Sequence, residues 1–182
     1  MLIGLMGGKG SGKTTVSNYL INKGYIFKAY AFAEPLKTLC KNLFNLNYEQ
    51  LEGDLKEVID PRWGVTPRTL YQKIGTDMFR RHLKNEIPEL KCDNIWIKRF
   101  EIWYEQNKNY NLLITDARFE DEIKAIKERG GIMILIERET QTNDMHVSEQ
   151  IHKTYKPDIV IQNDQGLEHL YKRIDEVLSN LN

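Results

Sequence analysis

The residues with the clearest chemical use lie near the start of the chain, where positions 7–14 read Gly-Gly-Lys-Gly-Ser-Gly-Lys-Thr. This run fits the pattern G-x-x-x-x-G-K-[ST], in which a backbone loop surrounds a polyphosphate. Glycine reaches backbone conformations closed to other residues, so several N–H groups can point at one anion. Lys13 adds an ammonium group for the terminal phosphates, and the Thr14 hydroxyl is placed to coordinate Mg²⁺.

The flanking sequence supplies the context that such a loop requires. The apolar run from Met1 to Met6 predicts a buried strand, and the segment from Thr15 to Lys23 predicts a helix whose positive end faces the anion. Lys9 either adds charge to the loop or lies in solvent. We therefore predict binding of a nucleoside triphosphate and Mg²⁺ by Gly8, Lys9, Gly10, Ser11, Gly12, Lys13, Thr14 and Thr15.

Four further apolar runs predict the rest of a sheet, at Phe27–Phe32, Asn111–Thr115, Ile132–Ile136 and Asp158–Gln162. Because helices separate the five short strands, the expected fold class is α/β, with a five-stranded parallel sheet covered on both faces in three layers. A helix is expected at Phe119–Arg129 and is predicted to stop at Gly130-Gly131. The final helix, from Leu167 onward, keeps one face apolar throughout.

The long segment at positions 35–110 predicts a helical insertion between the second and third strands. Its expected helices begin at Glu34-Pro35 and at Thr66-Pro67, and two further helices span Tyr48–Val58 and Ile95–Gln106. In a phosphate-loop fold, this insertion lies where a phosphoryl acceptor would be held. The alternative is that it only adds helical packing.

One helix of the insertion carries polar residues at every fourth position, namely Arg68, Gln72, Thr76 and Arg80. These residues track along one side of a helix, whereas Leu70, Ile74 and Met78 are expected to pack inward from the other. Guanidinium groups suit an anionic monophosphate, and an amide can read a base edge. The row is therefore predicted to bind the acceptor, with an ordinary solvated face as the alternative. Arg81 lies at a different helical phase from these four residues and is not part of the row.

Ligands of open parallel sheets lie beyond the carboxyl ends of the strands, where this chain places Asp116-Ala117-Arg118-Phe119 after its third strand. Asp116 is predicted either to hold Mg²⁺ or to hydrogen-bond an acceptor sugar, and Arg118 to grip a phosphate with two hydrogen bonds. The structural alternative for Asp116 is that it caps the helix starting near Phe119.

Further candidate residues lie outside these motifs. Lys37 is predicted to face phosphate or to be a surface lysine, and Trp96, like Trp63, to stack on a base or to lie in the core. Arg138 opens a polar segment at about 138–150 that is predicted to be a lid excluding water, in which Arg138 would stabilise charge or stack on adenine. A solvent loop in which Ser148 caps a short helix is the alternative.

Composition narrows the function classes. The 182 residues carry 26 Lys and Arg against 26 Asp and Glu, so no global field favours nucleic acid or an anionic membrane. Two distant cysteines indicate a reduced protein, and no apolar run is long enough to span a bilayer. The expected location is cytoplasmic, without nucleic-acid or membrane partners. The oligomeric state is left open, a homodimer included.

With these motifs in order, the chain resembles the deoxynucleoside monophosphate kinases of bacteriophages and large DNA viruses. The resemblance spans nearly the whole chain. The glycine loop is shared by many NTPases. Two segments are more specific: Gln72-Lys73-Ile74-Gly75-Thr76-Asp77 with Arg80, and Asp116-Ala117-Arg118-Phe119. The family pattern is also matched at Phe32–Lys37 and His146–Glu149. The segment from Tyr48 to Trp63 matches no part of the family pattern.

The resemblance implies a single P-loop kinase domain, with a core at 1–34 and 111–182, the acceptor-binding insertion at 35–110 and a lid. It implies an ATP- and Mg²⁺-dependent enzyme of nucleotide biosynthesis that converts deoxynucleoside monophosphates to diphosphates, in the host cytoplasm if the protein is viral. Lys13, Arg118 and Arg138 would be catalytic. Lys37, Arg68, Gln72, Thr76, Arg80, Trp96, Asp116 and Arg118 would bind substrate, and Thr14 and Asp116 the metal.

Two other functions remain open at this point. The first is a kinase of a non-nucleotide phosphate such as phosphomevalonate, although the Gln72 segment fits a nucleotide better. The second is a P-loop NTPase switch without kinase activity, which is expected to carry Asn-Lys-x-Asp after a strand. The chain offers only Asn107-Lys108-Asn109, before a strand.

Overall fold

The computed structural model of the protein describes residues 1–23, 27–138 and 155–181. They fall into two compact units, one of Met1–Ala31 and Glu101–Asn182 and the other of Phe32–Phe100. Most of the segment expected to form a lid, including His146 to Glu149, lies outside the described residues.

The first unit contains a five-stranded sheet in which every pair of neighbours is parallel. Its strands lie in the order β2-β3-β1-β4-β5. They are β1 Leu2–Met6, β2 Phe27–Tyr30, β3 Asn111–Ile114, β4 Ile132–Glu137 and β5 Ile159–Gln162. The prediction of five parallel strands is confirmed, with strand ends shifted by one or two residues.

Alternate residues of the strands face opposite helical layers. Ile3 and Leu5 share a buried cluster with Val16 and with Ile174, which lie on the helices α1 and α8. On the other face, a Cβ built on Gly4 would meet Met133 and Ile126, and Ile126 belongs to the helix α7. The sheet is therefore covered on both sides, as its uniformly buried central strand requires. The bounds are α1 Lys13–Asn22, α7 Glu120–Lys127 and α8 Leu167–Leu181.

The second unit is helical and has its own small core. Cys40, Leu46, Leu51 and Ile74 form that core, and burial raises the pKa of the Cys40 thiol to about 11. Its helices are α2 Glu34–Phe44, α3 Tyr48–Leu51, a 3₁₀ turn at Asp54–Glu57, α4 Pro67–Gln72, a π-helical stretch at Lys73–His82 and α5 Leu83–Glu86; α6, Ile95–Asn107, begins in this unit.

Two expectations for this unit were wrong in detail. The segment from Tyr48 to Val58 is not one helix, because α3 ends at Leu51 and the extended Gly53 precedes a separate 3₁₀ turn. Met78 does not pack inward but is 58% exposed. In this stretch, which is π-helical from Lys73 to His82, the buried residues are the consecutive Ile74, Gly75 and Thr76, so the inward face does not follow the spacing of four that led to Met78.

The helix starting at Thr66-Pro67 is confirmed at its beginning. The Thr66 hydroxyl accepts a hydrogen bond from the Thr69 backbone N–H at 3.1 Å, and Pro67 occupies the first helical position. This cap fixes where α4 starts, and so fixes where the row of polar residues begins.

The predicted stop of α7 at Gly130-Gly131 gives a test of the fold. A Cβ at Gly131 would lie 2.8 Å from the Ile126 carbonyl oxygen, whereas a Cβ at Gly130 would meet nothing within 4 Å. We expect Gly131→Ala to lower the free energy of unfolding by about 1–3 kcal/mol through overpacking. Gly130→Asn should be nearly neutral, because Asn tolerates the positive φ of 73° at that position. Urea unfolding measures both, and equal losses would contradict this packing argument.

Candidate active site

The loop between β1 and α1 takes a conformation that depends on glycine. Gly7 and Gly12 have φ of 147° and 107°. A Cβ at Gly7 would lie 2.4 Å from the Ile136 carbonyl oxygen, and one at Gly12 would lie 2.5 Å from Asn163 Nδ2. Both positions therefore exclude a side chain for steric and conformational reasons together.

The start of α1 is available to an anion. Gly12 is its N-cap and offers no side-chain cap, and the first turn contains no acidic residue. The first N–H groups of a helix have no partner within the helix, and the helix dipole adds positive potential at that end. The ten-residue helix thus carries the donors and the potential that phosphate binding requires.

The loop also holds a positive charge. Lys13 Nζ donates to the carbonyl oxygens of Gly7 and Gly8 at 2.7 and 2.8 Å. Ser11 is 2% exposed, and its buried hydroxyl has no hydrogen-bond partner in the part of the chain that the structure describes. Thr14 and Lys9 are exposed and Thr15 is half-buried. These features fit a bound polyphosphate, since an unsatisfied buried hydroxyl calls for a partner.

Asp116 lies at the same edge of the sheet as this loop. The neighbouring backbone fixes its place, because Thr115 N donates to the Tyr30 carbonyl at 2.9 Å and Ala117 N donates to the Leu5 carbonyl at 3.2 Å. Asp116 itself is only 9% exposed. The chain therefore holds a carboxylate close to the ends of β1 and β2.

The alternative role of Asp116 as the cap of the next helix is wrong. Phe119 is the N-cap of α7, and the buried Glu122 carboxylate reaches back to accept from the backbone N–H groups of Arg118 and Phe119 at 2.8 and 3.2 Å. Glu122 therefore performs the capping that had been considered for Asp116. Arg118 is half-buried, and Arg138 lies exposed directly after β4.

In the second unit, none of the four polar residues of the row is fully exposed. Arg68, Gln72 and Arg80 are half-buried and Thr76 is 5% exposed, whereas Lys73, Met78 and Arg81 are exposed. Arg68 pairs with Glu57 at 3.6 Å. Thr76 and Arg80 lie in the π-helical stretch, which begins directly after Gln72 and has a rare geometry that recurs at functional sites.

The remaining acceptor candidates make structural contacts within the second unit. Lys37 Nζ donates to the Glu52 carboxylate at 2.6 Å. Trp96 is 7% exposed, its indole N–H donates to the Gly75 carbonyl at 3.1 Å, and its ring contacts Phe79. Trp63 is more exposed and donates to the Phe44 carbonyl at 2.9 Å. Trp96 therefore packs the π-helical stretch against α6, and its ring offers little surface to a base.

The segment that matched no family pattern has a structural explanation. Gln50 Nε2 donates to the buried Asp60 carboxylate at 2.6 Å, and the Arg62 guanidinium pairs with the same carboxylate and holds its pKa well below the ordinary value. This network closes the turn between α3 and α4. A cavity of about 730 Å³ lies beside it, lined by residues of positions 45–62, and none of the predicted acceptor residues lines it.

One residue in contact with the glycine loop was not predicted from the sequence. Asn163 follows β5 and donates from Nδ2 to the Ser11 carbonyl at 2.8 Å. Its position beyond a strand end was the available signal, because the same rule had singled out Asp116.

The fold and the loop together define a class: a parallel five-stranded sheet with a glycine-rich phosphate loop after β1 is a P-loop kinase fold. A solved shikimate kinase from Aquifex aeolicus has the same fold, with a TM-score of 0.55, 16% identity, and coverage of 100% of this chain and 98% of that chain. At this identity, the likeness concerns the fold alone.

Sequence comparison identifies the family within that class. The profile of the deoxynucleotide monophosphate kinases matches residues 44–174. A protein of Acanthamoeba polyphaga mimivirus, named provisionally as such a kinase, is 44% identical over 190 residues, covering 99% of this chain and 97% of its own. The deoxynucleotide monophosphate kinase of Enterobacteria phage T4 is 30% identical over 70% of this chain, a match that spans 51% of the phage enzyme.

The chain therefore belongs to the deoxynucleotide monophosphate kinase family. It is a kinase that phosphorylates deoxynucleoside monophosphates, so its substrates are nucleotides. This assignment favours the predicted function over a kinase of a non-nucleotide phosphate and over a switch without kinase activity. Within residues 1–23, 27–138 and 155–181, no helix has the length and apolarity needed to cross a bilayer.

The packing role of Trp96 can be tested by replacement with Phe. Trp96→Phe leaves the buried Gly75 carbonyl without its donor, so the free energy of unfolding should fall by about 1–3 kcal/mol while KM for the acceptor stays unchanged. Trp63→Phe removes an indole donor at a more exposed position and should cost less. Urea unfolding and steady-state kinetics report the two effects. A raised acceptor KM without loss of stability would show instead that the Trp96 ring contacts the acceptor.

Proposed function

We propose that the phosphoryl donor is ATP with Mg²⁺, bound at the loop from Gly8 to Thr15. The observation that carries this proposal is the uncapped start of α1 behind a loop in which Lys13 supplies the charge. The residues that would hold Mg²⁺ are Thr14, through its hydroxyl, and Asp116. When bound, the ion neutralises charge on the phosphate oxygens and orients them.

In the first unit, Lys13 and Arg118 are proposed to neutralise the charge that develops on the transferred group. Arg118 is half-buried and lies two positions after Asp116. Its guanidinium therefore loses less rotamer freedom on binding a phosphate than that of an exposed arginine would. Arg138 is proposed to contribute a third positive charge after β4. Charge neutralisation by fixed groups is the main catalytic device open to phosphoryl transfer.

In the second unit, the acceptor monophosphate is proposed to bind Arg68 and Arg80, with Gln72 and Thr76 contacting the nucleoside. The support is their partial burial on one row, because a guanidinium held by its surroundings binds an anion at lower entropic cost. Lys37 is retained as an acceptor contact, although in this structure its ammonium group binds Glu52.

The reaction is an in-line displacement. An oxygen of the acceptor phosphate forms a bond to the γ-phosphorus of ATP, the bond from that phosphorus to the β,γ-bridging oxygen breaks, and ADP leaves with the electron pair. The attacking oxygen is already anionic, so no side chain has to remove a proton from it. The protein therefore contributes to catalysis by positioning the two nucleotides and by neutralising charge.

The donor site is tested by Lys13→Ala. Loss of the loop ammonium should lower kcat/KM for ATP by about 10²–10³-fold, the range seen when one charge-stabilising donor is removed. Lys124→Ala, at an exposed position of α7, is the matched control and should leave activity unchanged. A coupled ADP-release assay with each of the four deoxynucleoside monophosphates, their ribonucleotides and phosphomevalonate measures both. Near-normal turnover by Lys13→Ala would refute the donor site, and activity with phosphomevalonate alone would refute the acceptor class.

The acceptor row is tested by two adjacent arginines. Arg80 lies half-buried in the row, whereas Arg81 is exposed and pairs with Asp77 at 3.0 Å. Arg80→Ala should raise KM for the deoxynucleoside monophosphate by roughly 10–100-fold, because a charge-assisted hydrogen bond contributes about 1.5–3 kcal/mol. Arg81→Ala should leave that KM within twofold. The same effect from both variants would mean that general charge, not the row, attracts the acceptor.

A further inference from the structure

Asn163 connects the end of the sheet to the phosphate loop. Its backbone N–H donates to the Glu137 carbonyl at 2.8 Å, which fixes the residue against the last residue of β4. Its side-chain Nδ2 donates to the Ser11 carbonyl, also at 2.8 Å, and the residue is only 9% exposed. A buried residue held through its backbone N–H and through its side-chain Nδ2 has little freedom, so it fixes the carbonyl that it contacts.

The direction of the Ser11 carbonyl determines the direction of the next N–H group. The peptide bond between Ser11 and Gly12 is planar and trans, so the Gly12 N–H points opposite to the Ser11 C=O. With that carbonyl turned toward Asn163, the Gly12 N–H is turned away from Asn163. Gly12 is also the N-cap of α1, the residue at which the anion-binding end of the helix begins.

The contact is close enough to constrain residue type on both sides. A Cβ at Gly12 would lie 2.5 Å from Asn163 Nδ2. The amide therefore fills the space that the missing side chain of Gly12 leaves. A side chain longer than Asn does not fit there without displacing the loop, and a shorter one leaves the Ser11 carbonyl without this donor.

We propose that Asn163 is a positioning residue, which orients the Ser11–Gly12 peptide so that the Gly12 N–H is set in advance toward the triphosphate. This inference rests on the proposed binding of ATP at the loop. A donor that is already oriented adds affinity because its ordering does not have to occur on binding. The acceptor does not depend on this peptide, so the effect should be confined to the donor nucleotide.

The test compares Asn163→Ala, Asn163→Asp and Gln162→Ala. Gln162 is the preceding, exposed residue, and its amide binds the Glu137 carboxylate rather than the loop, so it is the matched control. Calorimetry with ATP and Mg²⁺ gives Kd for the donor, steady-state kinetics gives KM for both nucleotides, and thermal unfolding shows that each variant is folded.

We expect Asn163→Ala to raise Kd for ATP about tenfold, the change that follows from one hydrogen bond of about 1.4 kcal/mol. KM for the deoxynucleoside monophosphate should stay within twofold. Asn163→Asp should weaken ATP binding further, because its carboxylate cannot donate to the Ser11 carbonyl and adds negative charge beside the loop. Gln162→Ala should bind ATP as the wild type does.

The outcomes separate this inference from the proposal beneath it. Failure of the wild type to bind ATP would refute the donor site itself. ATP binding by wild type, Asn163→Ala and Asn163→Asp with equal Kd would refute the positioning role alone. Equal weakening toward both nucleotides would assign Asn163 to general stability and overturn the inference. If Asn163→Ala does not fold, the nearly isosteric Asn163→Asp decides between these results.

Discussion

The central strand β1 pairs in parallel with β3 on one side and β4 on the other, and all five of its residues are buried. Such a strand is stable only when both faces of the sheet are covered, here by α1 and α8 on one side and α7 on the other. Its buried position also fixes where the chain emerges. The glycine loop begins directly after Met6, at the edge where the other strands end, so its backbone continues a fully buried strand.

That edge collects groups from distant parts of the sequence. The glycine loop follows β1, Asp116 follows β3, Arg138 follows β4 and Asn163 follows β5. Parallel pairing brings these positions together without any local pattern joining them, since all strands run in the same direction. The grouping of these residues at one edge of the first unit is thus a consequence of topology. The residue types at the strand ends decide which chemical groups are present there.

Local signals were sufficient where the controlling interaction is local. The loop, the Thr66-Pro67 helix start and the stop at Gly130-Gly131 depend on residues a few positions apart, and the sequence predicted all three. Met78 could not be placed in this way, because the buried residues of the π-helical stretch are the consecutive Ile74, Gly75 and Thr76 and do not follow a spacing of four. Asn163 escaped notice because its partner, Ser11, is 152 positions away.

The residue that caps α7 is not the carboxylate that the sequence motif suggested. Asp116 and Arg118 stand together in the sequence, and a carboxylate before a helix is a common cap. In the structure the cap comes from Glu122, inside the helix, which satisfies the backbone N–H groups of Arg118 and Phe119. Asp116 is therefore not the N-cap of α7, and the sequence motif and the helix cap use different carboxylates.

Two independent lines support a nucleotide kinase. The family profile begins at residue 44, beyond the glycine loop, so the match to deoxynucleotide monophosphate kinases does not depend on a motif that many NTPases share. The geometry of the loop is a separate observation: Gly7 and Gly12 have positive φ, the start of α1 has no side-chain cap, and the Lys13 ammonium donates to loop carbonyls. Neither line depends on the other. An accidental glycine-rich pattern would leave the family match unexplained, and the family match from residue 44 onward would leave the geometry of the loop unexplained.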